Sequence, residues 1–218
     1  MEKNKFFEQV LNDNLTEIFV DTNFFIPPHN INKDDFYNNW IIELKRILPN
    51  MCIHESVKAE MVQESLHKAA EEFKIYYNDS LNRAEMMRFR AAFNLLKKEI
   101  GLGGVTLNKN KGEIETLSFM YAKGCSKIIT RDKDVIINIK HTSINVMFNG
   151  NYGVIHFYEL LYLLKNRSRV NKTLLKAFYK AFYPNGVEGI KLFSEIMDIL
   201  DDLYGNAKLT VSKMNITF

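Results

Sequence analysis

Four short apolar runs, at residues 17–20, 51–53, 127–130 and 144–148, are separated by stretches whose apolar residues recur at helical spacing. That alternation constrains the fold more than any other feature. Strands separated by helices need crossover connections, and such crossovers build a mostly parallel central sheet with helices on its faces, an α/β architecture. Phe36, Trp40, Ile41, Leu44 and Leu48 predict a helix over 34–48, which Pro49-Asn50 stops. Further helices are expected over 56–77, 81–100, 112–122 and 134–139, with a short amphipathic one over 2–12. The expected organisation is an N-terminal helix (1–16), an α/β domain (17–154) with a helical insertion over about 56–100, and a helical C-terminal appendage (155–218).

The 218 residues are 46% hydrophobic, enough to bury a sizeable core. A formal net charge of +3 neither demands nor excludes a nucleic-acid partner. No uncharged apolar run reaches the roughly 18–20 residues that span a bilayer. The start Met1-Glu2-Lys3-Asn4-Lys5 lacks the apolar core of a secretory signal, so the expectation is a soluble, cytoplasmic protein with no membrane partner. Cys52 and Cys125 lie beside β-like runs and read as small buried thiols, without metal-type spacing. Gly101-Leu102-Gly103-Gly104 reads as a helix stop, because a phosphate loop would follow a strand and open a helix.

Four acidic residues stand in well-framed contexts. Asp21 follows Ile18-Phe19-Val20 and opens Asp21-Thr22-Asn23; Asp132 follows Ile128-Ile129-Thr130-Arg131. Glu60 lies in Ser56-Val57-Lys58-Ala59-Glu60-Met61, and Glu113 follows Gly112 at the start of a helical pattern. Each has an ordinary reading by itself: a cap or turn former for the aspartates, a solvated or first-turn helix acid for the glutamates. Together they place two carboxylates directly after strands, where an open parallel sheet puts its site. A cluster of that kind repels itself unless a hard divalent cation neutralises it, and oxygen ligands favour magnesium or manganese.

Over residues 17–148 the chain resembles the PIN-domain nucleases, through Ile18-Phe19-Val20-Asp21-Thr22-Asn23, Ser56-Val57-Lys58-Ala59-Glu60-Met61, Gly112-Glu113-Ile114-Glu115-Thr116-Leu117 and Ile128-Ile129-Thr130-Arg131-Asp132-Lys133-Asp134. The resemblance implies a small Rossmann-like sheet, a magnesium- or manganese-dependent site, and single-stranded or structured RNA as substrate. By position Asp21, Glu60, Glu113 and Asp132 match the family's acidic quartet, and Asn23 and Thr130 its supporting polar positions. Cations would sit on Asp21, Glu113 and Asp132, with Asp134 competing for the last place and Glu115 for that of Glu113. Glu60 would ligate through water or orient the nucleophile. The implied activity is a metal-dependent endoribonuclease. A toxin with a cognate inhibitor (an antitoxin) and a homo-oligomer are further expectations. A non-catalytic RNA-binding or assembly module of the same fold and a structure-specific DNA nuclease are the alternatives.

The segment from Lys165 to Lys180 contains Lys165, Arg167, Arg169, Lys172, Lys176 and Lys180 and no acid. On a helix Lys172, Lys176 and Lys180 share one stripe, opposite Leu175, Phe178 and Phe182. This reads either as a solvated face or as a ridge that tracks a phosphate backbone, with Tyr179 or Tyr183 placed to stack on a base. Arg131 is a further candidate contact. Arg83, Arg88, Arg90, Lys97 and Lys98 read as surface helix charge or as a second basic wall. His54, just before a helix, is a minor candidate for a catalytic base.

Overall fold

In a computed structural model the chain is described over residues 1–12, 16–61, 63–101, 111–132, 149 and 152–205. In chain order the described helices and strands are α1 (Lys5–Asn12), β1 (Ile18–Val20), α2 (Lys33–Phe36), a π-helical stretch (Tyr37–Ile42) that runs into α3 (Glu43–Ile47), β2 (Met51–His54), α4 (Glu55–Glu60), α5 (Glu64–Glu71) and β3 (Lys74–Tyr76). Then come α6 (Arg83–Gly101), α7 (Lys111–Lys123), β4 (Lys127–Ile129), β5 (Gly153–Ile155), α8 (Phe157–Arg167), α9 (Lys172–Phe182) and α10 (Phe193–Tyr204). No described helix is long and apolar enough to cross a membrane. The chain divides into two compact units. The sheet unit comprises the described parts of Glu17–Ile26 and Asn50–Val154; the helical unit comprises those of Met1–Thr16, Pro27–Pro49 and Ile155–Phe218.

The sheet is five-stranded and parallel, in the order β3-β2-β1-β4-β5, with helices on its faces. Ile18 registers with Met51, Phe19 with both Cys52 and Ile128, and Val20 with Ile129. β1, β2 and β4 are buried along their whole length, which is why residues 18–20, 51–53 and 128–129 read as continuous apolar runs rather than an alternation. Phe19, Cys52, Leu117, Phe119 and Ile128 anchor the core between sheet and α7.

The helix expected over 56–77 is not continuous. α4 ends at Glu60, α5 at Glu71, and Lys74–Tyr76 forms β3 at the sheet edge, parallel to β2. The expected helical insertion therefore supplies a strand. Nothing local marks it, because Lys74-Ile75-Tyr76 has neither an apolar run nor an alternation long enough to count. Tertiary partners hold it: Ile75 registers with Ile53, Lys74 and the Tyr76 hydroxyl both donate to Glu17, and the Tyr76 ring lies 5.6 Å from Phe19 and 5.5 Å from Phe119. β5 was likewise unmarked in the sequence. The expected helix at 134–139 and strand at 144–148 lie outside the described residues.

In the helical unit the residues around Trp40 belong with the terminal helices, although by chain position they fall between β1 and β2. The reason is aromatic packing: the Trp40 ring lies 4.7 Å from Phe182 and 5.1 Å from Phe157, and Phe36 meets Phe178 edge-on at 6.1 Å. Such interlocked rings contribute about 0.5–1.5 kcal/mol per pair beyond their buried area. A buried carboxylate closes this unit. Glu159 accepts from the His156 backbone N–H at 2.8 Å, from Asn4 Nδ2 at 3.0 Å and from the Tyr204 hydroxyl at 3.3 Å.

Candidate active site

Parallel pairing brings the first two site residues together. Val20 registers opposite Ile129, so the residues that follow, Asp21 and Thr130, emerge side by side at the carboxyl edge of the sheet. The Asp21 N–H donates to Ile129 O at 3.1 Å and carries the β1–β4 ladder up to the edge. Strand order reverses between β1 and β4: the chain places β2 and β3 on one side of β1, then returns to place β4 and β5 on the other. Open α/β sheets put their ligand crevices at this reversal, outside the carboxyl ends.

Asp21 is 5% exposed and both its oxygens have partners. Oδ1 accepts from the Thr22 N–H at 2.7 Å and so caps the 3-10 turn Thr22–Phe24. Oδ2 accepts from the Thr130 hydroxyl at 2.7 Å and from Asn23 Nδ2. Asn23 also donates to Thr130 Oγ1 at 3.0 Å, and its Oδ1 accepts from the Arg131 N–H at 3.1 Å. Thr130 Oγ1 accepts from the Asp132 N–H at 3.0 Å, which orients the strand-to-loop turn that carries Asp132. Asn23 and Thr130 thus both donate to the Asp21 carboxylate.

Glu60 and Glu113 reach the same place from helices. Glu60 ends α4 and accepts from the Thr22 hydroxyl. α4 and α7 pack together, and Gly112 in the first turn of α7 lies against Glu60: a Cβ built there would stand 2.0 Å from Glu60 Oε1. Glycine costs a helix about 1 kcal/mol relative to alanine, so its place here is explained by room for a carboxylate. The next residue is Glu113, whose Oε2 is buried with no hydrogen-bond partner.

Electrostatics confirms the convergence. Burial pushes Asp21 up to about 6, and the negative charges of Glu60 and Asp132 add to it against the hydrogen bonds from Thr130 and Thr22. Glu113 is pushed up to about 7 by burial first, then by Asp21, Glu60 and Asp132. Asp21 and Glu113 therefore both feel Glu60 and Asp132 as like charges. Glu115 pairs with Lys111 at 3.7 Å, while burial first and then Glu55 and Glu60 raise its proton affinity. Asp134 lies outside the described residues.

Among the described residues, no group of three His, Cys, Asp or Glu side chains is arranged to hold a metal ion. The donors nonetheless fit a hard cation in kind. All are carboxylate oxygens, one of them is orphaned and buried, and the charges of Glu60 and Asp132 raise the proton affinity of Asp21 and Glu113.

Several contributors went unassigned in the sequence: the Thr22 hydroxyl on Glu60, the glycine that makes room for Glu60, and a buried polar thread under α7. In that thread Ser56 Oγ donates to Gly112 O at 3.3 Å and lies 3.4 Å from Thr116 Oγ1. The available signal was only that Ser56, Gly112 and Thr116 are small or polar within otherwise apolar helix faces. His54 serves the fold. It is fully buried, its Nδ1 accepts from the Ser56 N–H at 3.3 Å, Nε2 pairs with Asn78, and burial holds its pKa below the usual histidine range.

In the helical unit α9 presents Lys172, Lys176 and Lys180 exposed, with Leu175, Phe178, Tyr179 and Phe182 buried. Tyr179 is 1% exposed and donates its hydroxyl to Ile190 O at 2.7 Å, so it is not a base-stacking platform. Lys165 pairs with Asp201 at 2.6 Å, and Arg167 donates to Leu11 O at 3.3 Å. Arg88 donates twice to Ala122 O at the end of α7, at 2.9 and 3.2 Å. Arg131 is half-buried beside Asp132 in the chain.

No protein-family model, curated protein or solved structure matches the chain.

Proposed function

We propose that this protein is a metal-dependent endoribonuclease of the PIN-domain type, hydrolysing phosphodiester bonds in RNA. The observation that carries the reading is the convergence of Asp21, Glu60, Glu113 and Asp132 at the strand-order reversal, with Asp21 and Glu113 held above the usual carboxylate range. Asp21, Glu113 and Asp132 would hold a magnesium or manganese ion, which when bound neutralises charge on the scissile phosphate and acidifies a water. The rest is done by the chain's own groups. Thr130 and Asn23 fix the Asp21 carboxylate by hydrogen bonds to Oδ2, so that it does not turn away from its neighbours. Thr22 steadies Glu60, the exposed member of the four, which orients the attacking water and takes up its proton. Burial and its acidic neighbours hold Glu113 above the usual carboxylate range, so it would have to lose a proton to bind a cation, and binding would weaken as pH falls.

The test is cleavage of an end-labelled, mixed-sequence single-stranded RNA and its DNA counterpart, with manganese, with magnesium and with chelator, by wild type and Asp21→Asn. Cleavage of RNA that needs the cation and disappears in Asp21→Asn supports the reading. Preferential cleavage of the DNA makes the protein a DNA nuclease. A folded protein that binds manganese and cuts neither strand is a binding module.

A further inference from the structure

We infer that the helical unit carries a base-reading pocket for single-stranded RNA, formed by residues of α8, α9 and α10 and independent of the acidic cluster; the inference rests on the ribonuclease reading. The pocket has a volume of about 260 Å³. Sites that engulf a drug-sized ligand run to roughly 300–1,000 Å³, so this one suits a single flat heterocycle. Its apolar lining includes Leu175, Phe193 and Met197, and its polar lining includes Lys172, Ser194 and Asp198.

The charges decide what enters. Lys165, also in the lining, is neutralised by Asp201 at 2.6 Å. That leaves Lys172 and Asp198, one cation and one anion, each exposed and without an ion pair to any described residue. A fatty acid or an acidic peptide would meet Asp198 as a like charge. A nucleotide satisfies both: its phosphate lies at Lys172, its ring covers the apolar floor, and an exocyclic amino group donates to Asp198, as amino-bearing base edges do to carboxylates. The Ser194 hydroxyl supplies a second polar partner.

The pocket also continues into a backbone track. Lys172 lines it, and Lys176 and Lys180 follow on the same exposed stripe of α9 in steps of four residues, about 6 Å each. An extended strand can lay successive phosphates along that stripe while one base turns into the pocket. Uracil, which has no amino group, is the base this pocket accepts least well.

The test is fluorescence anisotropy of labelled oligo(A), oligo(C) and oligo(U), titrated with the full-length protein in chelator so that no cleavage competes. Oligo(A) and oligo(C) are expected to bind about tenfold more tightly than oligo(U), the discrimination of one good base contact. Asp198→Ala, an exposed helix position that alanine tolerates, should bring the three within about twofold of one another. Lys176→Gln should weaken all three alike, lower the salt dependence and leave their ratio unchanged. Equal binding of the three, a preference that survives Asp198→Ala, or no RNA binding at all overturns the inference. Because cleavage does not enter the measurement, failure of the nuclease reading and failure of the pocket are separate results.

Discussion

Glu159 in the helical unit and the acidic cluster in the sheet unit both bury carboxylates, and they do it in opposite ways. Glu159 is 1% exposed and is pushed up to about 8 by burial alone, against hydrogen bonds from His156, Asn4 and Tyr204. Its donors are neutral and no other acid contributes to the shift. The Asp21 site combines burial with like charges, and Glu113 keeps an oxygen with no donor. A carboxylate that serves packing is closed by neutral partners, since an unsatisfied buried acceptor is costly. One left open and crowded, as in the proposed nuclease site, would recover that cost when a ligand arrives. Burial alone therefore does not separate the two roles; the partners do.

The comparison breaks first on catalysis. Asp21→Asn should reduce RNA cleavage by about a thousandfold, the upper end for loss of one electrostatic partner of a transition state, whereas Glu159→Gln should leave the rate within about twofold. Equal losses in the two variants would mean that the cluster has no special role. Next is Gly112→Ala. Its Cβ would meet Glu60 Oε1 at 2.0 Å, so cleavage should fall about 10–100-fold, as for displaced supports of a metal site. Thermal stability should hold or rise, because alanine favours the helix by up to about 1 kcal/mol. A coupled loss of stability would show that Glu60 cannot yield.

Glu159→Leu sharpens the other side. It leaves the donors at His156, Asn4 and Tyr204 unanswered, at about 1–3 kcal/mol for a buried group left unpaired. Urea unfolding at pH 6 should show a loss of about 3 kcal/mol, and manganese should not restore it. The smallest effect belongs to Glu113→Gln. Glu113 rises from 4.5 to about 7 on folding, so the folded state takes up a proton between those values and stability falls as pH rises through them. Glutamine removes that penalty. For a half-buried group the gain should be about 1 kcal/mol at pH 8, or roughly 2–4 °C in Tm, and none at pH 4.5. Manganese should then stabilise the wild type more than the variant. A gain that is independent of pH would remove the like-charge account.

The parts legible in the sequence were those with a local physical signature. β1, β2 and β4 are buried on both faces and so stand out as apolar runs; α7 and α9 carry helical periodicity. Asp21 was marked because it follows such a run directly, and Asn23, Thr130, Glu60 and Glu113 through the resemblance of their surroundings to a nuclease pattern. β3 was not, because three residues at a sheet edge take their state from Ile53 and Glu17 rather than from their own composition. Tyr179 was misplaced because helical spacing assigns a face only to within a fraction of a turn, and this ring falls on the buried side.

By itself the amino-acid order determined the α/β alternation and the placing of aspartates just beyond strands, since both follow from burial and chain direction over a few residues. Only the tertiary structure decided that Glu60 and Glu113 join Asp21, that Gly112 must lack a side chain, and that Trp40 belongs with helices more than a hundred residues away. Those outcomes depend on which surfaces meet after the chain has crossed over itself, and contact between distant segments leaves no period in the sequence that makes it.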